Sequence, residues 1–360
     1  MTNARSIING NLSASCFFRS SAELPYRKAL LQITECCNLY CAHCFVSSGN
    51  YGDTMPIEII RNTVIPRLKQ YRVSRVTLTG GEPFVHPDVI EIVRFLREID
   101  MHVGICTNAA TISIDQMETL AEIGGVHLNV SLDGFRPESH GKFRGNIDSF
   151  AKTIETIRQL ARHQLLQGLL VTPNNLAEVC EYAELCDFAI QNGATYVLMN
   201  PLSNMGRGVK SKDKLTFPKE TMQKIREITG PFNTRIHVVH IRFPNDQLPL
   251  ASCEAGHIIY VFVHGEVTVC PYLVFAAKTP QSKHRSEEFV VGNILNDANI
   301  SDKLDAYKFH ERYHLGDNPT CRMCSLSSKC GKGCPAAIIA SGQCIEGLDS
   351  EVCPMVSKKL

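Results

Sequence analysis

The sequence predicts an α/β fold, a partial (β/α)6 barrel of the TIM type followed by a small cysteine-rich C-terminal region. Short apolar runs alternate with amphipathic helical stretches for about 170 residues, the pattern of βαβ units on a parallel sheet. That alternation breaks at Pro201-Leu-Ser-Asn-Met-Gly-Arg-Gly. From residue 317 onward the chain is rich in Cys, Gly, Ser and Pro, with little core-forming pattern. Such a tail needs metal staples to be ordered.

The candidate strands are Leu30–Thr34, Val76–Thr79, His102–Cys106, Val126–Leu132, Leu166–Val171 and Tyr196–Met199. The candidate helices lie near 57–70, 87–99, 114–123, 147–162, 175–191 and 218–228. Six strand–helix units fall short of a full eight-fold barrel and suit a partial one. In parallel barrels the chemistry sits at the C-terminal ends of the strands. A hairpin follows later, Ile258–Val263 and Glu266–Val269 about His264-Gly265. Residues 1–28 are polar and patternless and read as an N-terminal extension lying over the domain. The boundaries that follow are 29–230 for the core and 231–360 for the cysteine-rich domain.

The chain has 360 residues, room for one large domain with a smaller one. Lys plus Arg is 37 against 36 for Asp plus Glu, so nothing advertises a nucleic-acid or anionic-membrane partner. No apolar run reaches transmembrane length and the N-terminus lacks a signal-peptide core, so the expected compartment is the cytoplasm. Sixteen cysteines in a reducing compartment do not suit a disulfide framework. Their grouping at ligand-like spacing reads as metal.

The most informative segment is Cys37-Asn-Leu-Tyr-Cys41-Ala-His-Cys44. Its C-x3-C-x2-C spacing puts three thiolates on one short loop and leaves a fourth position open, whereas four-iron clusters normally take four cysteines. The next strand ends in Thr79-Gly80-Gly81-Glu82-Pro83. Two glycines let the backbone approach a ligand, and the carboxylate beside them can take an ammonium group. Further strand ends carry Thr107-Asn108 and Ser131-Leu132-Asp133-Gly134.

These residues, in this order, resemble the radical S-adenosylmethionine (radical SAM) superfamily. The resemblance implies that Cys37, Cys41 and Cys44 hold a [4Fe–4S] cluster whose open iron chelates SAM. Reductive cleavage of SAM then gives a 5′-deoxyadenosyl radical that removes a hydrogen atom from the substrate. His43 stands where the family has an aromatic against adenine. Gly80, Gly81 and Glu82 match the segment that binds the SAM amino group. Asn108, Ser131 and Arg144 resemble further SAM contacts, with Ala109 in place of the family's glycine. A reductant such as flavodoxin or ferredoxin is implied as partner.

A second constellation is Cys253-x11-Gly265-x4-Cys270, then Cys321-x2-Cys324-x5-Cys330-x3-Cys334, then Cys353. It resembles the SPASM extension, which houses two auxiliary [4Fe–4S] clusters. The resemblance implies that Cys253, Cys270 and Cys334 hold the inner cluster, and Cys321, Cys324, Cys330 and Cys353 the outer one. The stretch Glu254–Tyr260 lacks a cysteine that some members have, so the inner cluster either has an open iron or recruits Cys344. Structural zinc is the alternative for these cysteines, since C-x2-C pairs suit it.

His310-Glu-Arg-Tyr-His314 matches H-E-x-x-H but has no evident third ligand and reads as a surface helix. Cys180 and Cys186 read as helix core and Cys106 as a small strand-end residue. Asp133 and Asp349 are candidate bases or turn formers. The expected activity is radical maturation of a peptide. The alternatives are radical modification of a small molecule (a sugar, aminoglycoside, nucleoside or tetrapyrrole) and a non-catalytic iron–sulfur electron carrier. Residues 1–28 leave no room for a fused peptide-recognition domain, so a peptide substrate is expected to need a separate carrier or direct leader binding.

Overall fold

The computed structural model describes residues 11–16, 22, 25–245 and 247–357. Residues 1–10, 17–21, 23 and 24 of the N-terminal extension, with 246 and 358–360, lie outside the described residues. The strands are β1 (Arg27–Thr34), β2 (Val73–Gly80), β3 (His102–Thr107), β4 (Val126–Ser131), β5 (Leu166–Val171), β6 (Tyr196–Met199), β7 (His237–His240), β8 (Ile258–Val261), β9 (Glu266–Thr268) and β10 (Val290–Asn293). They form one sheet in the order β10-β9-β8-β1-β2-β3-β4-β5-β6-β7. Every pair from β8 through β1 to β7 is parallel, and β9 and β10 add antiparallel to the β8 edge.

The six predicted strands are the middle of this sheet. β5 and β6 have the predicted bounds. β1 begins three residues early because the buried Arg27 pairs across the fold with Asp305, a partner the local sequence cannot announce. Two further parallel strands flank the six: β7 beside β6, and β8, the first strand of the predicted hairpin, beside β1. Parallel strands buried on both faces need continuous apolar runs. Here Leu31, Ile33, Val76, Leu78, Val103, Ile105, Leu128 and Val130 instead alternate with Gln32, Thr77, Gly104 and Asn129, so one face of these strands is apolar and fully buried while the other carries small and polar residues.

Helices sit between the strands as expected, with two deviations. The 57–70 helix contains a π segment, Ile60–Val64, directly before Pro66. A proline inside a helix has no N–H to donate and its ring crowds the carbonyl four residues back, and a wider turn absorbs both defects. The 175–191 helix starts only at Glu181, because Asn174 is held in the preceding turn by Tyr182 and Asp133.

The C-terminal region has more core than its composition suggests. The helices Pro271–Ala277 and Pro335–Ala340 are buried at every residue. Cys186 is buried as predicted, but Cys180 caps its helix and is exposed. The helix carrying His310 stops at Arg312, so His314 is outside it and the H-E-x-x-H pair does not share a helical face. His240 accepts or donates a 2.8 Å bond with Thr229 Oγ1, a packing role.

Ser13–Cys16, part of the extension expected to lie over the domain, is instead threaded into it. All four residues are buried. Ser13 N donates to Pro249 O (2.9 Å), Ala251 N to Ser13 O (2.9 Å) and Arg242 N to Ala14 O (2.7 Å). Arg242, in a left-handed backbone conformation (φ 54°), also sends Nη1 to Ser15 O at 3.1 Å. Its guanidinium pairs bidentately with the buried Asp349 at 2.6 and 2.8 Å and with Glu351 at 2.6 Å. Removing one partner of a buried pair leaves an uncompensated charge. We therefore expect Arg242→Met to destabilise the apoprotein by about 3–5 kcal/mol in urea unfolding. A loss under about 1 kcal/mol, the worth of an exposed pair, would contradict this arrangement.

Candidate active site

The loop after β1 carries the first cysteines to the C-terminal edge of the sheet, and the loops after β2, β3 and β4 end beside it. Cys37 and Cys41 are buried and Cys44 is half-buried, packed in one cluster with Leu39. Hydrogen-bond donors aim at the sulfurs: Leu39 N lies 3.4 Å from Cys37 Sγ, Asn108 Nδ2 3.9 Å from the same atom, and Arg144 Nη1 3.9 Å from Cys41 Sγ. Cys36 is turned away and donates to Gly52 O. Burial pushes the Cys37 thiol up to about 11 and the Cys41 thiol up to about 12. Without a cation these thiols are neutral; a bound metal reverses that, because it is the thiolate that ligates.

The Gly80-Gly81 pair has a reason different from ligand approach. A Cβ on Gly80 would lie 2.1 Å from Thr34 O, and one on Gly81 2.1 Å from Cys36 O. The glycines let β2 close onto the cysteine loop, where Gly81 N bonds Thr34 O (2.8 Å) and Glu82 N bonds Cys36 O (2.9 Å). Glu82 is thereby fixed against the cysteines. Its carboxylate is buried and accepts from Thr107 Oγ1 (2.7 Å), Phe84 N (3.1 Å) and Asn108 N (2.7 Å). A carboxylate has about four acceptor positions, so one on Oε2 remains for a further donor. Burial raises the Glu82 carboxyl despite these donors.

Asn108 bridges the site, its Nδ2 reaching Asn38 Oδ1 at 2.8 Å. The next residue, Ala109, adopts φ 61°, so alanine keeps the left-handed turn that glycine favours. Ser131 ends β4, half-buried. Asp133 follows it and binds the buried Arg144 at 2.7 Å. Burial opposes ionisation of Asp133, but Arg144, His43, His140 and the Thr172 N–H overcome it and hold the carboxyl below its ordinary range. Asp133 therefore orients Arg144 and is a poor base. Asp349, paired with Arg242, is likewise structural.

His43 stacks on Phe143, centroids 4.4 Å apart and planes 7° from parallel. Burial lowers its pKa to about 4, so the ring is neutral, and its Nδ1 is buried without a partner. A buried polar atom without a partner is costly. Tyr260 on β8, which the sequence did not single out, likewise buries an unpartnered hydroxyl, within electrostatic reach of Cys44 and Cys106.

The later cysteines form two groups. Cys16, Cys253, Cys270 and Cys334 line one small cavity beside Tyr272 and Pro335. Cys353 lies within electrostatic reach of Cys321 and Cys330. Cys324 adjoins Cys321 through a backbone bond. Cys344, one of the two alternatives for the inner set, is exposed and does not line the cavity.

The radical SAM superfamily model matches residues 31–186, the stretch that holds Cys37, Glu82, Asn108 and Arg144. Residues 31–186 are a radical SAM domain. SAM and a [4Fe–4S] cluster are the cofactors of that family, and the donor set here fits both. Two of the three thiols, Cys37 and Cys41, receive donors at sulfur, Glu82 keeps one acceptor position, and a flat ring beside them carries an unpaired nitrogen. The chain is 26% identical to a mycofactocin maturase of Mycolicibacterium smegmatis over 89% of its own length and 81% of that protein. It is 28% identical to the AlbA protein of Bacillus subtilis, an antilisterial bacteriocin subtilosin biosynthesis protein, over 75% of this chain and 58% of that one. Its fold matches Streptococcus suis SuiB, solved with the precursor peptide SuiA, at TM-score 0.70 and 17% identity, covering 90% of this chain and 75% of SuiB.

The Asp133–Arg144 pair yields a pH prediction. A carboxyl held below its ordinary value contributes stability above that value and loses it as pH falls through the folded-state value. Asp133→Asn should therefore be less stable than the parent at pH 7, and the gap should close below about pH 4. Thermal unfolding of the two apoproteins from pH 7 to pH 3 measures it. A gap unchanged across that range would show that the pair is not what stabilises.

Proposed function

We propose that this radical SAM enzyme matures a peptide substrate. The observation that carries the reading is the convergence of Cys37, Cys41, Cys44, Glu82 and Arg144 on one sheet edge, in a chain whose relatives include a maturase and a bacteriocin biosynthesis protein. Bound together, the cluster and SAM supply one-electron cleavage of the sulfonium and so abstraction of a hydrogen atom from substrate.

The chain's residues do the positioning. Cys37, Cys41 and Cys44 hold the first cluster. Glu82 takes the SAM amino group on its remaining acceptor position, and Gly80 and Gly81 bring it close to the cysteine loop. Arg144, oriented by Asp133, balances charge beside Cys41 and with Ser131 and Asn108 meets the polar end of SAM. His43 offers its stacked ring and free Nδ1 to adenine. Residues 29–230 constitute this SAM-binding unit, and 231–360 the SPASM unit with two auxiliary [4Fe–4S] clusters, on Cys253, Cys270 and Cys334 and on Cys321, Cys324, Cys330 and Cys353. A flavodoxin or ferredoxin supplies electrons, and the peptide reaches the site by direct leader binding or on a separate carrier.

The reconstituted enzyme with SAM and dithionite should form 5′-deoxyadenosine, and Cys41→Ala should abolish it. Coexpressed with a precursor encoded beside its gene, the enzyme should change the peptide's mass in a Cys41-dependent way. No 5′-deoxyadenosine from the parent would overturn the enzyme reading. Turnover that leaves such peptides unchanged but alters a small metabolite would overturn the peptide reading.

A further inference from the structure

We propose that Cys16 is the fourth protein ligand of the inner auxiliary cluster, completing the set Cys16, Cys253, Cys270 and Cys334. This rests on the reading of that site as an iron–sulfur centre. The later cysteines supply only three ligands there, because Glu254–Tyr260 contains none and Cys344 lies elsewhere. The structure fills the gap from the other end of the chain.

Cys16 lines the same cavity as the three other thiols. It reaches both neighbouring ligand turns. Its Sγ lies 3.8 Å from Ser252 O and 3.7 Å from Gly333 O, the carbonyls just before Cys253 and Cys334. The Cys16 thiol is also within electrostatic reach of the Cys253 and Cys334 thiols.

The segment is built to stay there. Ser15 Oγ donates to Ala251 O at 2.8 Å, and Arg242 Nη1 donates to Ser15 O while Nη1 and Nη2 together hold Asp349. Asp349 in turn accepts from Cys334 N at 2.8 Å. One buried ion pair thus fixes Cys16 and Cys334 relative to each other. A small buried thiol that merely packs has no need of this scaffold. Four thiolates close the cluster to exchangeable ligands, so the inner cluster has no open iron for substrate.

The test is 57Fe Mössbauer spectroscopy with iron analysis on the anaerobically reconstituted full-length chain, comparing parent, Cys16→Ser, Cys16→Ala and Cys344→Ser. The parent should hold roughly twelve irons. Cys16→Ser, nearly isosteric, should keep the fold and move roughly one iron in four of one cluster to an oxygen-ligated doublet. Cys16→Ala should lose between about one and four irons, and Cys344→Ser should match the parent. A parent with about twelve irons whose spectrum Cys16→Ser leaves unchanged overturns the Cys16 assignment alone. Loss on Cys344→Ser instead overturns it in favour of Cys344. A parent with only about four irons overturns the auxiliary-cluster reading, and the proposal with it.

Discussion

Buried arginine–aspartate pairs hold this molecule's cysteines where chemistry can use them. Arg144–Asp133 stands behind Cys37 and Cys41, and Arg242–Asp349 behind Cys16 and Cys334. Both pairs are almost wholly buried. Such pairs are poor sources of net stability, since desolvation offsets most of the attraction. Their value here is geometric, because each guanidinium has several donors in a fixed plane and can hold separate chain segments at once. Arg242 ties residues 14–15, 349 and 351 into one place. Arg144 ties the loop after β4 to the loop after β1.

The parallel sheet supplies the other half of the arrangement. Its strands point the same way, so the loops after β1, β2, β3 and β4 meet at one edge, and short polar strand ends become neighbours without long-range design. The two glycines after β2 let that meeting become contact, and Glu82 is delivered to the cysteine loop by backbone bonds. The later region adds an apolar support, the Pro271–Ala277 and Pro335–Ala340 helices, each of which begins directly after a cysteine of the second cavity. Within the tail from residue 317, Pro335–Ala340 adds an apolar core beside the cysteines.

What the sequence made legible follows from how local each signal is. β5 and β6 were readable to the residue because apolar runs end at clear breaks. The loop cysteines and Gly80-Gly81-Glu82 were readable because ligands on one loop have fixed spacing. Cys16 was not, since a ligand arriving from a separate segment has no spacing to its partners. Arg242 was equally silent: its left-handed backbone and its burial arise from tertiary contacts. The H-E-x-x-H match failed because its helix ends one residue after the glutamate. Asp133 drew attention as a carboxylate at a strand end, and only the structure shows it spent on Arg144.

The central claim is that three separate thiol cages, two of them backed by a buried ion pair, hold iron. Anomalous diffraction at the iron edge from anaerobically reconstituted crystals tests it most directly. The account predicts strong iron peaks at Cys37, Cys41 and Cys44, among Cys16, Cys253, Cys270 and Cys334, and among Cys321, Cys324, Cys330 and Cys353. An iron peak at the first site alone, with zinc or nothing between the later cysteines, would contradict it.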